Sequence, residues 1–79
     1  VATFGGGEVV VITTEAPTMM TGKRVTEVDF PGKFHVTTIV RDGVALLPEP
    51  RTELAKGDRL KITVPRDALP ELKRLLGLE

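Results

Sequence analysis

Few side chains in this sequence are equipped for chemistry. They are one imidazole, His35, a strand-end guanidinium, Arg41, and a carboxylate behind a glycine, Asp58. The chain has no Ser, Cys or Tyr, and a Thr nucleophile needs a base within hydrogen-bond reach, while the only imidazole lies in mid-strand. The acidic residues are scattered, and no spacing pairs them for acid–base work. An enzymatic role is therefore not expected, which leaves recognition. Arg41 ends a strand beside a turn, where a guanidinium can grip a phosphate through two parallel hydrogen bonds. The same placement also suits a strand-end Arg paired with Asp42 or a neighbouring carboxylate. Asp58 follows Gly57 in a turn, where its carboxylate can accept backbone N–H groups, a structural role. His35 has no second metal ligand nearby in sequence and reads as a packing or pH-sensitive residue. Arg59, Lys61 and Thr63 form a polar strand face that adds positive potential if it lies near Arg41.

These residues need a hairpin to position them. Asp42-Gly43 sits between two apolar runs, and a two-residue turn needs positive φ, which Gly accepts freely and Asp tolerates. Phe34 to Leu47 therefore reads as a β-hairpin. Strict alternation along Phe34 to Arg41 puts Phe34, Val36, Thr38 and Val40 on the core side. His35, Thr37, Ile39 and Arg41 then share a mixed face suited to a partner or ligand. Pro48 and Pro50 force an extended exit, Thr52 can cap a turn through Glu53-Leu54-Ala55, and Lys56-Gly57-Asp58 reverses the chain. Leu60, Ile62 and Val64 then share one strand face.

The flanking segments complete the layout. Gly5-Gly6-Gly7 makes residues 1–7 a flexible lead-in or linker, and no Lys-Ser/Thr follows to make a phosphate loop. Glu8 to Thr14 is β-branched and continuously apolar from Val9 to Ile12, which predicts a strand covered on both faces, by a helix and by a second protomer. Thr18 or Thr21 can cap a short helical turn. Val25, Val28 and Phe30 dock a short helix onto the sheet, ended by Pro31-Gly32. Asp67 is suited to N-cap a last helix with Pro70 in its first turn; Leu69, Leu72, Leu75 and Leu76 share its face, and Gly77 stops it. The predicted fold class is α+β: a small mainly antiparallel sheet of about four strands, a short helix after the first strand and a C-terminal helix.

At 79 residues the chain is one small domain, 8–79 behind its lead-in, of a size that buries only about 60% of its unfolded surface. Such domains need a supplement. Disulfides and thiolate metal sites are excluded without Cys, and a His-rich metal site with a single His, so the expected supplement is a homodimer. Net charge is zero with 11 basic and 11 acidic residues, which gives no support to direct nucleic-acid binding. No apolar segment approaches the ~20 residues of a transmembrane span. A start at Val1 fits a piece of a longer polypeptide. The absence of Asn, Gln and Cys beside ample Glu, Lys, Arg and Pro matches the thermophile trend.

The ordered series Gly22-Lys23-x-Val25-x-x-Val28, Phe30-Pro31, Ile39-x-Arg41-x-Gly43, Pro48 and Thr52-x-Leu54-x-x-Gly57-Asp58-x-Leu60-x-Ile62 resembles the TrkA C-terminal domain, also called the RCK C-terminal domain. The likeness runs from Glu8 to Val64. It departs at Val25 and Val28, where the family usually has Leu, and at Pro65, where it often has Gly. The resemblance implies a cytosolic regulatory, ligand-sensing and dimerisation domain. Its parent would be a potassium or other cation channel, an uptake system or a cation/proton antiporter, and the domain would lie at the inner face of the cell membrane. A Rossmann-type or membrane transport domain would precede it. It also implies a ligand at the dimer interface, a cyclic dinucleotide or another small anion, with Arg41 on phosphate and Val36 and Thr37 lining the pocket. The alternative is a structural dimerisation module without a small-molecule ligand. Cofactors are not expected in this segment, since the Gly-rich Rossmann fingerprint is absent.

Overall fold

The strand rich in alternating apolar residues near the end of the chain is the centre of the sheet. The computed structural model describes residues 2–30 and 32–77, with residues 2–4 as backbone alone. Strand β5 (Arg59–Pro65) pairs antiparallel with β2 (Val9–Glu15) on one side and β3 (His35–Arg41) on the other. Two short strands, β1 (Ala2–Phe4) and β4 (Val44–Leu46), close the edges in the order β1-β2-β5-β3-β4. Leu60, Ile62 and Val64 point to one face and are at most 2% exposed. That burial follows from the period of 2 along a strand lying between two others. After β2 come a 3-10 turn (Thr18–Met20) and the single-turn helix α1 (Val25–Val28); a second 3-10 turn (Arg66–Ala68) leads into α2 (Leu69–Leu76). The expected α+β class, with its antiparallel sheet, short helical piece and C-terminal helix, is the observed one.

Helix α2 buries Leu72 and Leu76 against the inner face, joined by Met20, Val25 and Leu54, with Val10, Ile12, Val36 and Ile39 supplied by the sheet. Gly77 adopts φ 72° at its end, a left-handed conformation that stops a helix at little steric cost for Gly alone.

Several local expectations differ from the structure. Residues 2–4 pair with β2 through the register Ala2↔Val11 to Phe4↔Val9, and the glycines after them form the reversal. Gly5 and Gly7 have φ 60° and 96°, so the triplet expected to make a loose lead-in is what permits the turn. In β2, within the single chain, Val10, Ile12 and Thr14 are buried on the inner side, while Val9 and Val11 are half-buried on the outer side, the side expected to meet a second protomer. Asp67 lies within the 3-10 turn and Ala68 is the N-cap of α2, without a side-chain cap bond. Phe30 is 50% exposed, its ring tilted against Phe34 at 6.0 Å. Pro31, expected to end that segment, lies outside the described residues.

The largest difference is in β3. Val36 opposes Ile62 but Thr38 opposes Lys61, so Thr37 is an extra residue in the ladder. Such a bulge lets two successive residues share a side. The core side therefore carries Val36 and then Ile39, which is fully buried, rather than Thr38 and Val40. Thr37 donates from Oγ1 to the Lys61 carbonyl at 3.1 Å on the outer face.

Candidate functional site

The hairpin turn places Arg41. Asp42 and Gly43 have φ 52° and 78°, the paired positive values of a two-residue turn matched to strand twist. Because of the bulge, the side chain of Arg41 follows Ile39 to the core side. There it meets Asp58, the residue directly before β5 and 1% exposed. Arg41 Nε donates to Asp58 Oδ1 at 2.8 Å and Nη2 to Oδ2 at 2.7 Å. Nη2 also donates to the Glu53 carbonyl at 2.9 Å, and the Ala55 N–H donates to Asp58 Oδ2 at 2.8 Å. One guanidinium and one carboxylate thus tie the end of β3 to both ends of the Glu53–Asp58 reversal.

The electrostatics follow from this geometry. The hydrogen bonds from Arg41 hold the Asp58 carboxyl below the usual carboxylate range, with burial opposing and the Ala55 N–H assisting. Reciprocally, the Asp58 carboxylate raises the Arg41 guanidinium above its ordinary value. Charge-assisted, two-point contacts of this kind combine strength with a fixed orientation.

A cleft of about 260 Å³ lies over the other end of β3, bounded by His35 and Val36, by Thr26 and Asp29 around α1, and by Pro48-Glu49-Pro50. Asp29 organises it. Its Oδ1 accepts the Val36 N–H at 2.8 Å, and its Oδ2 lies 3.5 Å from His35 Nδ1. The proline wall is anchored to the start of α1 by backbone bonds, Val25 N–H to the Thr52 carbonyl at 2.8 Å and Thr26 N–H to the Pro50 carbonyl at 3.2 Å. Thr52 braces the same wall rather than capping the residues after it, its Oγ1 accepting the Glu49 N–H at 2.8 Å.

Among the residues singled out from sequence, Val36 lines this cleft, Thr37 is exposed on the opposite face, and Arg41 lies beyond the bulge with its fork engaged by Asp58. The structure does not bring the three into one cluster. Arg41 reaches the cleft indirectly, by holding the loop whose other end forms the proline wall. Sequence reasoning missed Asp29 and Thr26. A carboxylate directly after a one-turn helix was the available signal, since a short helix leaves its neighbours free to accept bonds from the next element. Among the described residues no group of three or more His, Cys, Asp or Glu could hold a metal ion. No helix among them is long and apolar enough to cross a membrane.

The fold has solved counterparts. A GsuK channel bound to NAD superposes with a TM-score of 0.75 at 21% identity, covering 91% of this chain and 14% of that one. The RCK C domain of the potassium transport protein KtrA, in complex with cyclic diadenosine monophosphate, gives 0.73 at 20% identity over 86% of this chain and 84% of that one. The RCK_C domain dimer of S. agalactiae BusR, also in complex with c-di-AMP, gives 0.70 at 17% identity over 92% and 96%. No curated protein matches the sequence. The TrkA-C domain family matches residues 9–77, a span reaching from the first residue of β2 to the glycine that stops α2. The chain belongs to the TrkA-C domain family.

Proposed function

We propose that the chain is a regulatory ligand-binding domain of a potassium or other cation transport system. In this reading it works as a homodimer at the cytoplasmic face of the membrane, attached to a Rossmann-type or membrane transport domain. Its ligand is a cyclic dinucleotide or another small anionic molecule, and it is not an enzyme. The observation that carries this reading is the cleft over β3, in a fold shared with RCK C domains solved with c-di-AMP. Val36, Pro48 and Pro50 supply apolar wall for a nucleobase, and Asp29 and Glu49 supply acceptors for its amino hydrogens. Those carboxylates repel phosphate, so the ligand's phosphates turn away from them. Arg41 meets an anion only through Nη1, the edge that Asp58 and Glu53 do not hold, and Thr37 takes part only in a ligand shared with a partner protomer. A bound ligand shifts the transport system only by its differential affinity for two arrangements of the dimer.

The second reading, a dimerisation module with no small-molecule ligand, is favoured by the engagement of the Arg41 fork with Asp58. A thermal-shift titration separates the two, using c-di-AMP, c-di-GMP, NAD and pyrophosphate on the wild type and on Thr26→Trp, which fills the cleft from an exposed position. A ligand at 100 times its dissociation constant stabilises by about 2.7 kcal/mol. A nucleotide that stabilises the wild type and not Thr26→Trp supports the sensor reading. No shift with any of the four removes it in favour of the second.

A further inference from the structure

The shortness of β4 leaves the start of β3 open along one edge. β4 pairs only with Ile39, Val40 and Arg41, so the outward N–H of Val36 has no strand beside it among the described residues, and Asp29 accepts it instead. The next side chain on that open edge is His35, half-exposed, which pairs on its other flank with Thr63 of β5. Its surroundings are unequal in charge. The cleft side presents the carboxylates of Asp29 and Glu49, and no Lys or Arg lines it among the described residues. The opposite side carries Lys33, just before β3, beside uncharged residues of β2 and β5. Lys61 is the next charged group on the same face of β5 as Thr63. His35 is therefore the one group in the described cleft wall that can become a cation.

Asp29 decides what this imidazole presents. Its Oδ2 lies 3.5 Å from Nδ1, too long for a strong hydrogen bond yet near enough for the carboxylate to favour a proton on that nitrogen. With the proton on Nδ1, the neutral ring leaves Nε2 as an acceptor, whereas the protonated ring donates from both nitrogens. One proton thus turns Nε2 from a group that repels an anion into one that binds it. The same proton offsets one of the two carboxylates in the cleft wall.

Resting on the reading of the cleft as a ligand site, we propose that His35 makes that site proton-coupled: an anionic ligand binds together with one proton, which the imidazole holds between Asp29 and the ligand. Binding then strengthens as pH falls across the range in which imidazoles change charge, about pH 8 to 5. With one proton linked, the gradient is at most about tenfold per pH unit. By reciprocity the ligand tightens proton binding by the same factor, so the domain reports ligand and acidity jointly.

The test is isothermal titration calorimetry of the full chain with c-di-AMP, whose phosphodiesters keep their charge throughout, at about pH 8 and about pH 5.5. Buffers of different ionisation enthalpy count the protons taken up. His35→Gln locks the position neutral and His35→Lys locks it charged, with circular dichroism as the check of folding. The wild type is expected to bind at least about fivefold more tightly at the lower pH, with proton uptake from the buffer. His35→Gln is expected to bind weakly at both values without uptake, and His35→Lys tightly at both. A wild type of equal affinity at the two values overturns the proposal and leaves the ligand reading standing. So does His35→Gln with the pH dependence of the wild type, which would assign the proton to Asp29 or Glu49. Absence of binding by c-di-AMP, c-di-GMP and NAD at both values overturns the ligand reading and this proposal with it.

Discussion

Arg41 and Asp58 meet edge to edge, Nε to Oδ1 at 2.8 Å and Nη2 to Oδ2 at 2.7 Å, across the seam between β3 and the loop that feeds β5. Asp58 is almost wholly buried while Arg41 is 35% exposed along its side chain. The carboxylate therefore depends on this partner and on the Ala55 N–H for the solvation it has lost. The guanidinium depends on the carboxylate much less.

Removing Arg41 should then cost more than removing Asp58, because a third-exposed guanidinium regains water and a buried carboxylate does not. Arg41→Ala leaves a buried carboxylate without its counter-charge, a loss of several kcal/mol in a fully buried pair; discounted for the partial exposure of Arg41, it should be about 2–3 kcal/mol. In a domain of this size that lowers Tm by about 10–20 °C. Arg41→Lys keeps the charge and loses the two-point fork, and should fall between the wild type and Arg41→Ala. Equilibrium denaturation of the three proteins measures the ordering.

Acid should expose the same pair. The Asp58 carboxyl titrates below its unfolded value, so the folded state favours its ionised form. Its stabilisation is fully present above the unfolded carboxylate pKa of about 3.9 and is lost as pH falls through the lower folded-state value. Arg41, raised above its ordinary value, stays charged throughout. The Tm difference between wild type and Asp58→Asn should be constant from neutral pH down to the carboxylate range and shrink below it. A difference independent of pH down to strong acid would show that the charge of Asp58 contributes nothing.

The turn at Asp42-Gly43 offers a test of backbone conformation alone. Gly43 has φ 78° and an added Cβ would meet no other atom within 4 Å, so Gly43→Ala introduces left-handed strain without a clash. That strain is worth about 1–2 kcal/mol for an L-residue. Asp42→Gly relieves the smaller strain at φ 52° but frees the unfolded chain, and should leave stability nearly unchanged. Chemical denaturation midpoints distinguish these outcomes.

Much of this architecture is written in local chemistry. Asp42-Gly43 announces the hairpin, the alternation of Leu60, Ile62 and Val64 identifies a strand buried on one face, and Gly77 marks the end of α2. In each case a few neighbouring residues decide the outcome. What local pattern could not supply was long-range. The Thr37 bulge is set by pairing with a strand more than twenty residues away, and it reverses which residues in the second half of β3 face the core. The carboxylate that holds Arg41 is Asp58 rather than Asp42, because only the folded sheet brings β3 and β5 side by side. Asp29 escaped notice for the same reason, as it accepts the Val36 N–H and approaches His35 across a chain reversal.

The bulge itself yields the sharpest prediction, since it governs the direction of every later side chain in β3. Thr37 is the unpaired residue, with Val36 opposite Ile62 and Thr38 opposite Lys61. Deleting Thr37 would convert β3 to a regular ladder in which Val36, Ile39 and Arg41 still face inward, because the pairs on both sides of the bulge keep their partners. The chain should remain folded with the Arg41–Asp58 contact intact, losing the bond from Thr37 Oγ1 to the Lys61 carbonyl, worth about 1 kcal/mol, and the longer contact of Thr37 Oγ1 with Thr63 Oγ1. Deleting Val40 instead shifts Arg41 by one position, and a one-residue slip in a strand turns a side chain to the opposite face. Arg41 would then leave Asp58 buried and unpaired, and the domain should unfold or lose at least as much stability as Arg41→Ala. Thermal unfolding of the two single-residue deletions is the comparison. If deleting Thr37 proves as damaging as deleting Val40, the inward placement of Ile39 and Arg41 depends on the bend of the bulge and not on its count of residues.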